Sequence, residues 1–320
     1  MKNIFNLGFN TNLKNDEVKA LNEACLDSTY LKKSLNPVAA LVVCAVLWSS
    51  GGILIKSIDW NPLAITGGRS VIAAAFMMLF LHHKPVFYIA QKNSRKIDRN
   101  ATVNLWAGAV CYSLTMILFV TATKMTAAAN AVLLQYTNPI WIILLGPALL
   151  GEKNRKSDFL ALAGVFAGML LFFAEELGGG SLTGNLLAVC SGFTMALMSI
   201  FMRRQKDANP ADSFVLSHLL TGVVALPFFF MQPMHNASSG IACLLALGIF
   251  QMAVPSMLYS IGITGESALT AMLISMIEPL MNPVWVMLFV HEVPSMQAVT
   301  GGLIILGSIA MRSYIQNRQR

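Results

Sequence analysis

Apolar runs of about 20 residues recur along this chain with short polar joints between them, and that rhythm leaves few folds open. A helix rises 1.5 Å per residue, so about 20 apolar residues cross the ~30 Å hydrocarbon layer of a bilayer. Ten such runs are read, at residues 38–56, 62–81, 103–123, 126–149, 157–173, 183–202, 212–231, 239–262, 267–290 and 295–312. With 56% hydrophobic and 12% charged residues, the chain has too little charge to solvate these runs as surface helices of a soluble protein. The expectation is an all-α polytopic membrane protein with ten transmembrane helices.

Residues 1–36 differ. They mix both charge signs and lack a long apolar segment with a small-residue cleavage site, so they do not read as a secretory signal. Val18, Leu21 and Cys25 recur at helical spacing, which suits a weak amphipathic helix on the membrane surface. A solvated tail fits as well.

The fourth and ninth runs resemble each other. "LLQYTNPIWIILLGPALLGE" (133–152) and "LISMIEPLMNPVWVMLFVHE" (273–292) align under a shift of 140 positions. The same shift pairs Gly108 with Gly248, Leu118 with Leu258, Ala131 with Ala271, Pro139 with Pro279 and Glu152 with Glu292. One register held through two consecutive runs implies two homologous halves of five spans, with Gly178-Gly179-Gly180 at the seam. Five is odd, so the second half enters from the opposite side: an inverted-topology repeat.

The basic residues test this, because cytoplasmic loops collect Lys and Arg. On ten spans, sixteen of the 22 fall on the N-terminal side, including Arg95, Arg155, Arg203, Arg204 and Arg312. Only Lys56 and Lys124 fall opposite. Both termini are therefore expected in the cytoplasm.

Ionisable groups inside spans cost about 2.5–3.5 kcal/mol on insertion scales and are functional candidates by default. Three stand out: Arg69 in span 2, His218 in span 7 and Glu278 in span 9. Glu278 and its repeat mate Asn138 fall near the midplane, where inverted-repeat transporters bind substrate. Pro139 and Pro279 each remove a backbone donor and leave a carbonyl free one turn earlier. Gln135, Tyr136 and Asn138 precede the first, and Ser275 and Glu278 the second. Beside a polar cavity the freed carbonyls become ligands or hinges; the plainer alternative is kinks for packing.

Each candidate has such an alternative. Arg69 either binds an anion or ties span 2 to a neighbour, and His218 reads more simply as a hydrogen-bonded interior residue. Glu278 is either a proton carrier or a fixed structural partner. Trp48, beside Ser49-Ser50-Gly51-Gly52, either lines the cavity or anchors an interface. Gly164 and Gly168 form a GxxxG suited to helix packing, and the 19 Met residues read as adaptable packing. Five Cys show neither a disulfide framework nor metal spacing. Asn236-Ala237-Ser238 matches the glycosylation pattern on an outer loop.

The chain has no GxxxxGK[ST], HExxH or GxSxG motif, so neither ATP hydrolysis, zinc proteolysis nor lipase chemistry has its residues. No enzyme activity, metal, cofactor or nucleic-acid partner is expected.

The blocks "AVLWSSGG", "GGRSVIAA", "NAVLLQYTNPIWIILLGPALLGE" and "LAGVFAGMLLFF", with "TAMLISMIEPLMNPVWVMLFVHE" and "GGLIILGSIAM" in the second half, resemble the EamA-type branch of the drug/metabolite transporter superfamily over about residues 38–312. The resemblance implies two inverted five-helix repeats, at 37–174 and 183–312, around a central cavity. Residues 1–36 and 313–320 would be cytoplasmic tails and 175–182 the joining loop. It further implies secondary transport of metabolites such as amino acids across the inner membrane by alternating access, with a small-molecule substrate, the lipid bilayer, protons and a homodimer as the partners to test. Such proteins usually have a polar or small residue before the fourth-span proline, so Glu278 is a departure that points to charge selectivity or proton coupling. The alternative class is a sensor or assembly partner that keeps the fold without transporting.

Overall fold

The computed structural model describes residues 35–79, 82, 84–90, 97–126, 128–174, 181–231, 237–290 and 295–318. The expected amphipathic segment at 18–25, the glycine seam, Asn236 and Glu292 lie outside them.

The described chain is helical throughout. The first half contains α1 (Pro37–Ser49), α2 (Gly51–Lys56), α3 (Pro62–Leu79), α4 (Arg99–Met125), α5 (Ala128–Gln135), α6 (Asn138–Leu150) and α7 (Lys156–Phe172). The second contains α8 (Leu182–Arg204), α9 (Ala211–Ala225), α10 (Pro227–Phe230), α11 (Ala237–Ala246), a π-helical segment (Leu247–Ala253), α12 (Val254–Gly265), α13 (Ala268–Ser275), α14 (Ile277–Val290) and α15 (Met296–Arg318). Hydrocarbon offers no water to stray amides, so helices that satisfy their own backbone are what an apolar run of this kind can form.

Seven helical runs are long and apolar enough to cross a membrane: Pro62–Leu79, Arg99–Thr123, Asn130–Leu150, Leu182–Arg204, Ala211–Phe230, Ser238–Gly265 and Met296–Gln316. The chain is thus a multi-pass membrane protein. Pro37–Ser49 and Ala268–Met281 are shorter apolar helices.

Helix starts follow local chemistry. Asn36 accepts from the Val38 amide with Pro37 in the first turn, Asp98 accepts from Ala101, Ser181 from Gly184 and Ser267 from Thr270. The π segment precedes Pro255, whose missing N–H cannot reach the carbonyl of Gln251 four residues back. α15 continues to Arg318, beyond the expected end at 312, so Arg312 is a buried helix residue and not a loop cation.

Packing runs α4 along α8, α1 along α12, α3 against the π segment, α9 against both α3 and α4, and α7 along α15. Gly164 and Gly168 do serve packing: a Cβ at Gly168 would press on the Gly301 carbonyl of α15. The main buried cluster draws on α1, α3, α4, α6 to α9 and α12 to α15, with Leu41, Met169, Phe214, Met252 and Tyr259 fully enclosed.

Candidate substrate and coupling site

Both proline runs are broken. α5 stops at Gln135 and α6 starts at Asn138; α13 stops at Ser275 and α14 starts at Ile277. Pro139 and Pro279 therefore sit in the first turn of a new helix, where a missing N–H is cheap. The carbonyls they free are those of Gln135 and Ser275, and each has a distinct environment.

The Ser275 carbonyl accepts the Tyr136 hydroxyl at 3.3 Å. The same hydroxyl lies 2.8 Å from Glu278 Oε2. One phenol, buried at the first break, thus spans to the carbonyl and the carboxylate of the second. The Gln135 carbonyl instead faces Gly192 of α8, so closely that any side chain there would collide with it. Gln135 itself turns away, its amide donating to Ser191 Oγ at 2.8 Å.

Asn138 is fully buried: Nδ2 meets Met195 Sδ at 3.3 Å, and Oδ1 has no hydrogen-bond partner. It stands apart from Glu278, so the pair related by the 140-residue shift occupies unlike surroundings.

Arg69 is buried in α3. It donates from one terminal nitrogen to Gln251 Oε1 at 3.2 Å and points the other at Met116 Sδ at 3.6 Å, while Nε has no partner. No carboxylate of the described residues pairs with it, although Glu278 and Tyr112 lie within electrostatic reach. Gln251, on the π segment, also donates to the Trp48 carbonyl at 3.5 Å, linking Arg69 to the end of α1.

Trp48 packs on Tyr259, with ring centroids 5.5 Å apart, and Tyr259 shares a 2.6 Å hydrogen bond with Ser199. His218 lies 3.2 Å from Ser256 Oγ through Nε2. Ser256 already donates to the Met252 carbonyl, so Nε2 is the donor and carries the proton. With Phe214 and Tyr112 against its ring, His218 fits the interior-residue reading.

The structure thus brings Tyr136, Ser275 and Glu278 into direct contact, groups Arg69 with Trp48 through Gln251, and leaves Gln135, Asn138 and His218 in separate polar contacts. Sequence reasoning missed Gln251 and Tyr112. Tyr112 Oη is buried without a hydrogen-bond partner. Among the described residues no cluster of His, Cys, Asp and Glu is arranged to hold a metal.

Comparison with known proteins gives a consistent picture. The model of the EamA-like transporter family matches residues 36–174 and again 182–314. An uncharacterized transporter of Archaeoglobus fulgidus is 25% identical over 273 residues, covering 85% of this chain and 94% of that protein. The uncharacterized transporter YwfM of Bacillus subtilis is 23% identical over 285 residues, covering 85% and 92%. A crystal structure at 18% identity superposes with a TM-score of 0.72 over 93% of this chain and 99% of the other, a likeness of fold.

Proposed function

Because this chain belongs to the EamA-like transporter family, we propose that it is a secondary transporter moving a small polar metabolite, an amino acid or related compound, across the cytoplasmic membrane by alternating access. Ten crossings in two inverted halves, 37–174 and 183–312, with both termini cytoplasmic, complete the reading.

Its packing supports the inverted halves, because contacts come in pairs that exchange when the halves are exchanged. α4 lies on α8 as α12 lies on α1. α3 meets the π segment as α9 meets α4, and α5 and α6 lie on α8 as α13 and α14 lie on α1. α7 and α15 pair with each other.

The observation that carries the function is the Tyr136 hydroxyl between Glu278 and the Ser275 carbonyl. A phenol has one proton to give. With Glu278 ionised, that proton goes to the carboxylate. With Glu278 protonated, the carboxylic acid donates to the phenol oxygen, and the phenol proton turns to Ser275. Loading one proton therefore reverses a hydrogen bond that joins the two helix breaks, which is the bistable element that proton coupling needs. Arg69, buried without a carboxylate and with Nε unpartnered, supplies the positive end for a substrate carboxylate, while Glu278 is suited to an amine.

The test is purified protein in liposomes, challenged with labelled amino acids under an imposed pH gradient. Protein-dependent flux that responds to the gradient is expected. Flux no faster than in protein-free liposomes across amino acids and related small polar compounds would overturn the reading.

A further inference from the structure

The C-terminal ends of α8, α12 and α15 gather with the starts of α7 and α13 at one end of the molecule, and two ion pairs stand among them. Arg312 Nε donates to Asp158 Oδ1 at 2.8 Å, with both side chains almost wholly buried. Its NH1 donates to Thr270 Oγ1 at 3.0 Å. The other oxygen of Asp158 accepts from the Arg155 amide at 2.7 Å, capping α7. A single guanidinium thus ties the first turn of α7, in one half, to the first turn of α13, in the other.

The second pair does the same from the opposite direction. Arg203 Nε donates to Glu152 Oε1 at 3.1 Å, and NH1 donates to the Ile263 and Thr264 carbonyls at 2.9 and 2.7 Å. Those carbonyls belong to the last turn of α12, which lacks helical donors of its own. Glu152, just after α6, is thereby bound to α8 and α12.

Both pairs line a cavity of about 230 Å³, together with Lys153, Arg155, Ile142 and Leu269. Ile142 and Leu269 are nearly inaccessible, at 2% and 5% exposure. They sit on α6 and α13, helices that flank the breaks at Tyr136 and Glu278. A polar mouth therefore ends on an apolar floor, with the proposed site beyond it. The 140-residue shift aligns Asp158 with Ala298 and Arg312 with Phe172, so the buried pair has no counterpart in the repeat.

We propose that Asp158–Arg312 and Glu152–Arg203 form a latch that holds the cytoplasmic mouth shut, at one end of the molecule only. The latch rests on the alternating-access reading above. To open this end, α7 and α15 must part from α13, and α6 from α8 and α12; both pairs cross those boundaries.

The experiment places a single cysteine at Ile142 in a cysteine-free background and measures its reaction with a membrane-impermeant maleimide. Inside-out and right-side-out vesicles are compared. In Asp158→Asn/Arg312→Met, and separately in Glu152→Gln/Arg203→Gln, labelling from the cytoplasmic face should quicken by about tenfold, the population change given by about 1.4 kcal/mol. The second double variant sits at the more exposed pair, so it carries the test alone if the first does not fold. Labelling at the parent rate from both faces would overturn the latch. Faster labelling from the outer face only would support a latch while overturning the proposed orientation.

Discussion

The Tyr136 hydroxyl lies 2.8 Å from Glu278 Oε2 although 142 residues separate them in the chain. Each residue stands at a break in an otherwise apolar helical run, so the contact couples two interruptions that would each be costly alone in hydrocarbon. The four predictions below start from that contact and move outward.

Tyr136→Phe removes the only donor that reaches both Glu278 and the Ser275 carbonyl. A hydrogen bond to a charged group contributes about 1.5–3 kcal/mol, so a lower thermal midpoint in detergent is expected, together with loss of the flux response to a pH gradient. Wild-type values in both measurements would remove Tyr136 from the mechanism.

Glu278→Gln mimics the protonated acid. It should keep substrate exchange across liposomes but lose pH-driven uptake. If the variant answers an imposed pH gradient as the wild type does, Glu278 is not the proton site and its charge serves structure or selectivity.

For Arg69, the conservative and the truncating variants should separate. Arg69→Lys retains a cation and should keep partial transport, whereas Arg69→Ala should lose it at unchanged expression. Equal loss of expression in both would instead make Arg69 a structural tie to Gln251, its partner at 3.2 Å.

Topology is checked by labelling. In a cysteine-free background, Ser181→Cys should react with an impermeant reagent added outside intact cells, and Lys206→Cys should not; both positions are exposed. The reverse pattern would invert the orientation.

Much of this architecture was legible because it is periodic. Apolar runs announced the helices, and Pro139 and Pro279 announced where two of them break. Even the freed Ser275 carbonyl was foreseeable, since a proline at 279 cannot donate to it. What closes on that carbonyl was not. Tyr136 precedes Pro139 in sequence, but nothing local says that it reaches across to Glu278. Gln251 was hidden more fully, because it lies 182 residues from Arg69 and is aimed by a π-helical segment that no apolar period encodes. The Asp158–Arg312 pair escaped for a related reason: an arginine near the end of an apolar run reads as an interfacial loop cation until the helix is seen to continue past it.

The π segment has a consequence for how this protein tolerates changes in length. A π turn closes a ring one residue larger than an α turn. Deleting one residue between Leu247 and Ala253 would therefore allow the run to close as ordinary α-helix without breaking it. The helix would survive, but everything after the deletion would swing by about 100° around its axis, the angle one residue subtends. Ser256 would leave His218 and Tyr259 would leave Ser199, although no contacting side chain had been replaced. Here a single deleted codon would do more damage to the site than most substitutions, while leaving membrane insertion nearly untouched.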